Sequence, residues 1–517
     1  MNPMWPDFLD TECVPLPSNV AAYRVQVDAA RWCEAADAMH EAGADLLSLW
    51  GSDDRDRDQC LRVHAAYLLR DRVVVVEHAM PADHAIYPSL ATRFPVAGRL
   101  QRATYDLLGI RADAGDTRPW LRHGGWPEDV FPLRRDVAAT QTWPVTSTPY
   151  PFIPVSGDGV HEMTAGPVHA GTIEPGRFQL AVVGEKVLRL EVRLGYTHKG
   201  VAKRFEALAQ CDAHRLAAHL CGDSTVAFSW AYCAALESIA ASTPSPRALV
   251  LRALALERER IANHLGDLGG LANDAGFAFG QTQFSSLKEQ LLRHNAELFG
   301  QRYLFDFVVP GGVACDLPAR ALPGMLDEIA VLERAVGELR GIYARHEGLQ
   351  DRFLGAGRLT PAQAAALGAI GLAGRASGVA RDLRVDQPWS PYDRSSPVLA
   401  TSAEGDVAAR VQVRFEETLE SLRLCRQWLQ ALPAGERVRD VPVAPADQLG
   451  IGLIEGWRGP VMLALETGPA GGIRRCRAHD PSWQNWPLLE VAILGNIVAD
   501  FPLINKSFNL SYSGHDG

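Results

Sequence analysis

The sequence predicts an α+β protein in which an N-terminal α/β domain precedes a mainly helical domain with small β hairpins. In the first part of the chain, stretches whose apolar residues have helical spacing alternate with stretches whose apolar residues have strand-like spacing. Residues 140–154 are rich in Pro, Thr and Ser and have no helical period. Beyond residue 200, apolar residues recur at three- and four-residue spacing over long stretches. We therefore divide the chain into a domain at 1–137, a linker at 138–160 and a second domain at 161–517.

The first domain contains two predicted helices and several predicted strands. Residues 27–43 form a helix with Trp32, Ala36 and Met39 on one face, and residues 97–108 form another that Gly109 ends. The predicted strands lie at 44–50, 62–69 and 73–77, and the last two form a hairpin.

The second domain begins with a predicted hairpin, 177–183 and 186–194, around a Gly-Glu turn. Ser245 followed by proline is typical of a helix start, and Thr360 with Gln363 fits a capping box. A late hairpin is predicted at 457–466 and 472–478. The predicted helices are 202–220, 226–241, 246–272, 284–305, 318–346, 406–431 and 487–498.

Composition excludes several classes of protein. The net charge is −10 and the pI is near 5.9, which argues against a nucleic-acid partner. No apolar stretch is long enough to span a bilayer, and the first residues do not resemble a signal peptide. We expect a protein made in the cytosol, and docking onto a membrane complex stays open. No P-loop or G-x-G-x-x-G motif is present, so nucleotide binding by this chain is not expected.

The nine cysteines are scattered, and no two are spaced as C-x-x-C. Their odd number and wide spacing argue against a disulfide framework. They also argue against a complete zinc or iron–sulfur site within this chain.

Four segments of the second domain carry a resemblance to a known family. Residues 166–176, 195–203, 374–382 and 405–410 resemble, in order, signature stretches of energy-converting nickel-iron hydrogenase large subunits. The same set is similar to the quinone-site large subunit of respiratory complex I. In the first domain, residues 105–110, 116–123 and 131–136 resemble the small hydrophilic subunit of complex I. A chain with both parts resembles the fused subunits of formate hydrogenlyase and hydrogenase-type complexes.

The resemblance implies a subunit of a membrane-associated oxidoreductase complex. Electrons would pass from an iron–sulfur cluster in a small partner subunit to an acceptor such as quinone, with coupling to ion translocation. The implied partners are that small subunit and antiporter-like membrane subunits. The implied location is peripheral, on the cytoplasmic side of the membrane.

The resemblance also identifies four positions where hydrogenases hold nickel with thiolates. Here these positions are Cys221, Ser224, Ser482 and Asn485. Hydroxyl and amide groups are hard, neutral ligands and replace thiolates poorly. We therefore expect no metal and no nickel-iron centre in this chain, and Cys221 is interpreted as a buried structural thiol rather than a lone metal ligand.

Two residues could act on the acceptor. Glu174 stands where hydrogenases place a glutamate that relays protons, and its alternative role is to cap a backbone amide. Tyr232 matches the complex I tyrosine that hydrogen-bonds a quinone carbonyl, and its alternative role is a core aromatic. The stretch Phe228-Ser229-Trp230 stands where complex I has an acid–histidine pair before the alanine, which weakens the quinone hypothesis.

Three further residues would lie near the iron–sulfur cluster of the partner, namely His169, His198 and Lys199. A cation or a histidine donor beside a cluster raises its reduction potential. The alternative is a structural role in the core. For Arg375, Arg381 and Arg410 we expect structural ion pairs.

Three functions remain open from the sequence. The chain is a subunit that helps an oxidoreductase complex reduce an acceptor, a non-catalytic scaffold in which the nickel site has decayed, or a working hydrogenase with unusual ligands.

Overall fold

The computed structural model describes residues 9, 12–146, 149–169 and 173–517. It has mixed helix and strand content, with an N-terminal α/β part and a mainly helical part that contains small sheets. None of the helices in these residues combines the length and the apolar character that a membrane crossing requires.

The N-terminal part is built on a five-stranded sheet. From edge to edge its strands are Val14–Pro15, Ala22–Val27, Val73–Pro81, Cys60–Leu68 and Asp45–Asp54. The predicted hairpin at 62–77 is confirmed, and Asp45–Asp54 extends beyond its predicted end. Ala22–Val27 was not predicted; it pairs in parallel with Val73–Pro81, far along the chain.

Two helices flank this sheet. Asp28 caps Ala29–Glu41 by accepting a hydrogen bond from the Arg31 amide. Ala97–Leu108 ends at Gly109, whose φ of 73° is left-handed. Both helices are confirmed as predicted. Two short strands, Ile86–Tyr87 and Arg111–Ala112, pair beside them.

The second part begins with a three-stranded antiparallel sheet of Val160–Ala165, Arg177–Val183 and Lys186–Arg193. The last two strands form the predicted hairpin. Val160–Ala165 was missed because most of its side chains are exposed and show no apolar alternation.

Long helices follow in the predicted order. They are Thr225–Ile239, Pro246–Asp274, Ala278–Phe299, Leu322–Arg345 and Val407–Gln430. Ser245 accepts a hydrogen bond from the Ala248 amide, and Asp406 accepts one from the Ala409 amide, so both act as N-caps. The capping box of Thr360 and Gln363 is present at the start of Pro361–Ala366. Other short helices are Glu347–Phe353, Gly371–Arg375 and Leu383–Asp386, and a two-stranded ladder joins Val308–Val309 to Gly312–Val313.

Two predicted helices are wrong. Residues 202–220 form two short helices, Val201–Phe205 and His214–Ala218, because Gln210 between them bonds to the backbone of Gly471 and Gly472. The predicted helix at 487–498 is replaced by Ser482–Ala492, Phe501–Phe508 and Ser513–Asp516. The first of these begins before Pro487, which lies inside it.

The late hairpin is confirmed and gains a third strand. Leu449–Glu455, Pro460–Thr467 and Ile473–His479 form an antiparallel sheet. This sheet packs on helix Thr225–Ile239 so closely that a Cβ on Gly452 would lie 1.7 Å from the Ala231 carbonyl oxygen. It also contacts the N-terminal part, since the Asn19 side chain exchanges hydrogen bonds of 2.8 and 2.9 Å with the Leu453 backbone.

A network of buried charged side chains fills the centre of the helical part. Arg375 donates to Glu417 at 2.7 Å and to Glu455 at 2.9 Å, and it has no exposed side-chain surface. Arg384 bridges Asp382 and Glu257. Burial raises the pKa of Glu455, and the neighbouring carboxylate of Asp382 raises it further. The members are Glu257, Arg260, His264, Arg375, Asp382, Arg384, Glu417 and Glu455.

We expect the Arg375→Met substitution to destabilise the fold by about 3–5 kcal/mol, because it leaves buried carboxylates without their counter-charge. The free energy of unfolding in urea measures this. Arg394→Met is the control, since that side chain is 87% exposed, and it should change stability by less than about 0.5 kcal/mol. Equal effects of the two substitutions would contradict the role given to the network.

Candidate functional site

Three of the four residues at the nickel-ligand positions, Cys221, Ser224 and Ser482, lie in one buried cluster. Cys221 lies in the turn before helix Thr225–Ile239, and Ser482 is the first residue of helix Ser482–Ala492. The Cys221 sulfur and the Ser511 hydroxyl are 3.0 Å apart, and the Ser511 amide donates to the Ser482 hydroxyl at 2.9 Å. Ser224 lies beside Cys221, and all of these side chains are buried. We call the group of Cys221, Asp223, Ser224, Arg458, Ser482 and Ser511 the Arg458 cluster.

The guanidinium of Arg458 lies at the centre of this cluster. It donates to both carboxylate oxygens of Asp223, at 2.7 and 2.6 Å, and to the Ser224 hydroxyl at 3.3 Å. It is 3.7 Å from the Cys221 sulfur and stacks on the Trp457 ring at 3.9 Å. Burial alone would raise the pKa of Asp223, but the charge of Arg458 outweighs it and lowers that pKa. The guanidinium therefore contacts two of the four positions, Cys221 and Ser224, at which the resemblance places nickel ligands.

The donor set of the cluster does not fit a nickel-iron centre. The Cys221 thiol donates to Asp223 at 2.8 Å. Burial, and to a smaller extent the negative charge of Asp223, holds the pKa of this thiol well above its usual value. Asn485 uses both ends of its amide on the Ile370 backbone. Within the described ranges, no three His, Cys, Asp or Glu side chains are grouped to hold a metal ion.

Two further buried carboxyls border the cluster. Asp480 accepts from the Ser482 amide at 2.8 Å, while its other oxygen has no hydrogen-bond partner, and burial raises its pKa. Glu259 accepts from the Val226 amide at 2.6 Å at the start of helix Thr225–Ile239. Burial raises the pKa of Glu259 to about 8. A small cavity beside it is also lined by Asp223, Asn263 and Lys288.

Tyr232 lies in the core of the second part. Its hydroxyl donates to the Gln210 carbonyl at 2.8 Å, and its ring stacks on Phe205 with centroids 6.0 Å apart. Burial raises the pKa of its phenol well above the usual value. These contacts are those of a core aromatic, and contact with an acceptor stays a prediction.

Glu174 and His169 both lie against the last residues of the chain. The exposed Glu174 accepts a hydrogen bond from the Ser513 amide at 2.9 Å, as a capping acid would. The His169 ring is half-buried, bonds to the Pro167 carbonyl at 3.2 Å and faces Phe178 and Tyr512.

His198 and Lys199 lie on a loop that contacts the same terminal residues. His198 Nδ1 donates to the Asp516 carbonyl at 2.8 Å, and burial lowers the pKa of the imidazole. Lys199 is exposed, and its Nζ is 3.4 Å from the Leu220 carbonyl. His169, Glu174 and the loop at 195–203 therefore all contact the segment 512–517.

Sequence reasoning missed the residues that complete the cluster, above all Arg458, Asp223 and Ser511. A cysteine two residues before an aspartate is a weak signal, because such pairs are common in loops. Arg458 and Asp223 are 235 residues apart, so nothing local connects them.

Comparison with known proteins agrees with this architecture. Residues 25–142 match the family described as the respiratory-chain NADH dehydrogenase 30 Kd subunit. Residues 274–449 match the family described as the 49 Kd subunit of the same enzyme. The fold and these matches define a class, the fused chains in which both complex I-type subunits are joined.

Formate hydrogenlyase subunit 5 of Escherichia coli is 30% identical over 487 residues, which cover 92% of this chain and 85% of the relative. The chain therefore belongs to the family of fused complex I-type subunits that includes formate hydrogenlyase subunit 5. An NADH-quinone oxidoreductase subunit of Dehalococcoides mccartyi is 30% identical over 67% of this chain and 96% of its own length.

A chain from the structure of the archaeal membrane-bound sulfane sulfur reductase, a respiratory membrane complex, superposes with a TM-score of 0.65. It is 24% identical and covers 71% of this chain and all of its own length, so it shows the fold. The comparisons support the family resemblance of the sequence motifs; the roles of individual site residues stay predictions.

The burial of the Cys221 thiol predicts low reactivity. At pH 8, iodoacetamide should modify the exposed Cys211 faster than Cys221 by about two orders of magnitude or more, because Cys221 reacts only after local opening. Peptide mass spectrometry over time measures both rates in one sample. Similar rates would mean that the cluster is open in solution.

The raised pKa of Glu259 predicts a pH dependence of stability. The folded chain holds this proton up to about pH 8, whereas an unfolded glutamate releases it near about pH 4.3. Stability is therefore lost as pH rises through this window, by up to about 1.4 kcal/mol per pH unit. In Glu259→Gln, the free energy of unfolding should fall less between pH 5 and pH 8 than in the wild type.

Urea unfolding at the two pH values measures that difference. Glu404→Gln is the matched control, because this carboxylate is 70% exposed, and its pH dependence should equal that of the wild type. If the free energy of unfolding of Glu259→Gln depended on pH as it does in the wild type, Glu259 would be ionised in the folded chain.

Proposed function

We propose that the chain is a peripheral subunit of a membrane-associated oxidoreductase complex and that it contains no nickel-iron centre. Its homologues are subunits of hydrogenase and quinone oxidoreductase complexes, which supports the assignment to such a complex. In this proposal it packs against a small iron–sulfur subunit and against antiporter-like membrane subunits, on the cytoplasmic side of the membrane.

The observation that carries the proposal is the Arg458 cluster. A nickel-iron centre needs several thiolate ligands, whereas the one thiol of this cluster, Cys221, is buried and keeps its proton. The thiol, hydroxyl and amide groups already have protein partners. The cluster therefore ties the surrounding loops together, and its role is that of a scaffold.

Metal analysis of the purified complex tests this. We expect less than about 0.1 nickel per chain, since one buried, protonated thiol offers no site of hydrogenase type. Iron should be present and should remain with the small partner when the two subunits are separated. Stoichiometric nickel in the wild type, lost in Cys221→Ala, would overturn the proposal in favour of a hydrogenase with unusual ligands.

A second function is reduction of an acceptor such as quinone by electrons from the partner cluster. The buried Glu259 favours it, because a carboxyl with a pKa near neutrality can deliver a proton to a reduced acceptor. The site would lie beside Asp223, and contact between the acceptor and Tyr232 stays a prediction.

Activity of the assembled complex separates the two functions. If the chain is a scaffold, Glu174→Ala, Tyr232→Phe and Glu259→Gln should each retain more than about half of the wild-type turnover. If acceptor reduction involves Glu259, Glu259→Gln should lose about 10²-fold or more, as expected for a general acid. Subunit composition by gel filtration is the control for assembly.

A further inference from the structure

The loop that carries His198 and Lys199 takes its shape from the last residues of the chain. The Asp516 carboxylate accepts hydrogen bonds from the Gly195 amide at 2.8 Å, the Thr197 amide at 2.9 Å and the Thr197 hydroxyl at 2.7 Å. Asp516 is buried, so water does not compete for these bonds.

The backbone of the same segment also bonds to the His198 side chain and to the Lys199 backbone. His198 Nδ1 donates to the Asp516 carbonyl at 2.8 Å, and the Lys199 amide donates to the Gly517 carbonyl at 2.8 Å. Within the loop itself, a 3.3 Å contact links the His198 amide to the Gly195 carbonyl. The loop therefore depends on Asp516 and Gly517 more than on its own hydrogen bonds.

His515 orients the carboxylate. Its Nδ1 lies 2.9 Å from Asp516 Oδ1, and its ring stacks on Trp483 with centroids 3.9 Å apart. Burial would raise the pKa of Asp516, but the hydrogen bonds from His515 and Thr197 outweigh it and lower that pKa. The acceptor is therefore ionised, and hydrogen bonds to a charged acceptor are the stronger kind.

We propose that Asp516 is a positioning residue, which holds His198 and Lys199 in the orientation that they present to the iron–sulfur subunit. This inference rests on the proposed function for the identity of the partner. The geometric part, that Asp516 fixes residues 195–199, depends on this chain alone.

Hydrogen–deuterium exchange on the isolated chain tests the geometric part. In Asp516→Ala, amides of the 195–201 peptide should exchange at least about tenfold faster, because the loss of the acceptors lowers the local opening energy. Thr197→Val removes one donor and should produce a smaller change in the same direction, which keeps the test valid if Asp516→Ala does not fold. Asp500→Asn is the control, since it breaks a contact with Arg352 and leaves the loop unaltered.

A potentiometric titration of the partner cluster, followed by electron paramagnetic resonance in the purified complex, tests the functional part. Asp516→Ala or Thr197→Val should shift the midpoint potential, whereas Asp500→Asn should not. Unchanged exchange in both loop variants overturns the proposal. Faster exchange with an unchanged potential overturns the part that concerns the partner. If no iron–sulfur subunit accompanies the wild-type chain, the proposed function fails, and exchange still decides whether Asp516 fixes the loop.

Discussion

The bidentate pair of Arg458 and Asp223 is the interaction on which the centre of the second part depends. It joins the turn after Leu449–Glu455 to the loop before helix Thr225–Ile239. The Trp457 indole donates to the Asp223 carbonyl at 2.8 Å, and Arg458 also bonds to the Asn509 carbonyl. Three distant stretches of chain are thus fixed by one guanidinium, which has several donors in a rigid plane. A lysine would offer one point charge and could not hold them all.

The parts of the fold that could be predicted are those that local sequence determines. The helices that follow Asp28, Ser245 and Asp406 were predicted because apolar residues recur at helical spacing within each, and Ser245 was also predicted as a helix start. Ala22–Val27 was not predicted, and its parallel partner Val73–Pro81 lies far along the chain. Leu449–Glu455 was missed for another reason, since its partner is the next strand. Leu449–Glu455 contains two glycines, which normally argue against a strand, and here Gly452 gives the helix Thr225–Ile239 room to approach.

The family resemblance predicted which residues come together at the candidate site, but not the side chains that they contact there. The family resemblance located Cys221, Ser224 and Ser482, and the structure brings them to one cluster. The resemblance could not report what lies among them, because Arg458 belongs to another part of the chain. The Tyr232 side chain points into the core, since its direction follows from helix packing rather than from spacing. The link from Asp516 to Gly195 spans 321 residues and has no local signature.

The buried network around Arg375 has a consequence for electroneutrality. Its carboxylates are Glu257, Asp382, Glu417 and Glu455, and its guanidiniums are Arg260, Arg375 and Arg384. Burial lowers the pKa of His264, so that imidazole supplies no compensating charge. One bound proton would bring the network to zero charge, and Glu455 is the member whose pKa burial and the Asp382 carboxylate raise. The charge of this buried network therefore depends on whether Glu455 holds a proton.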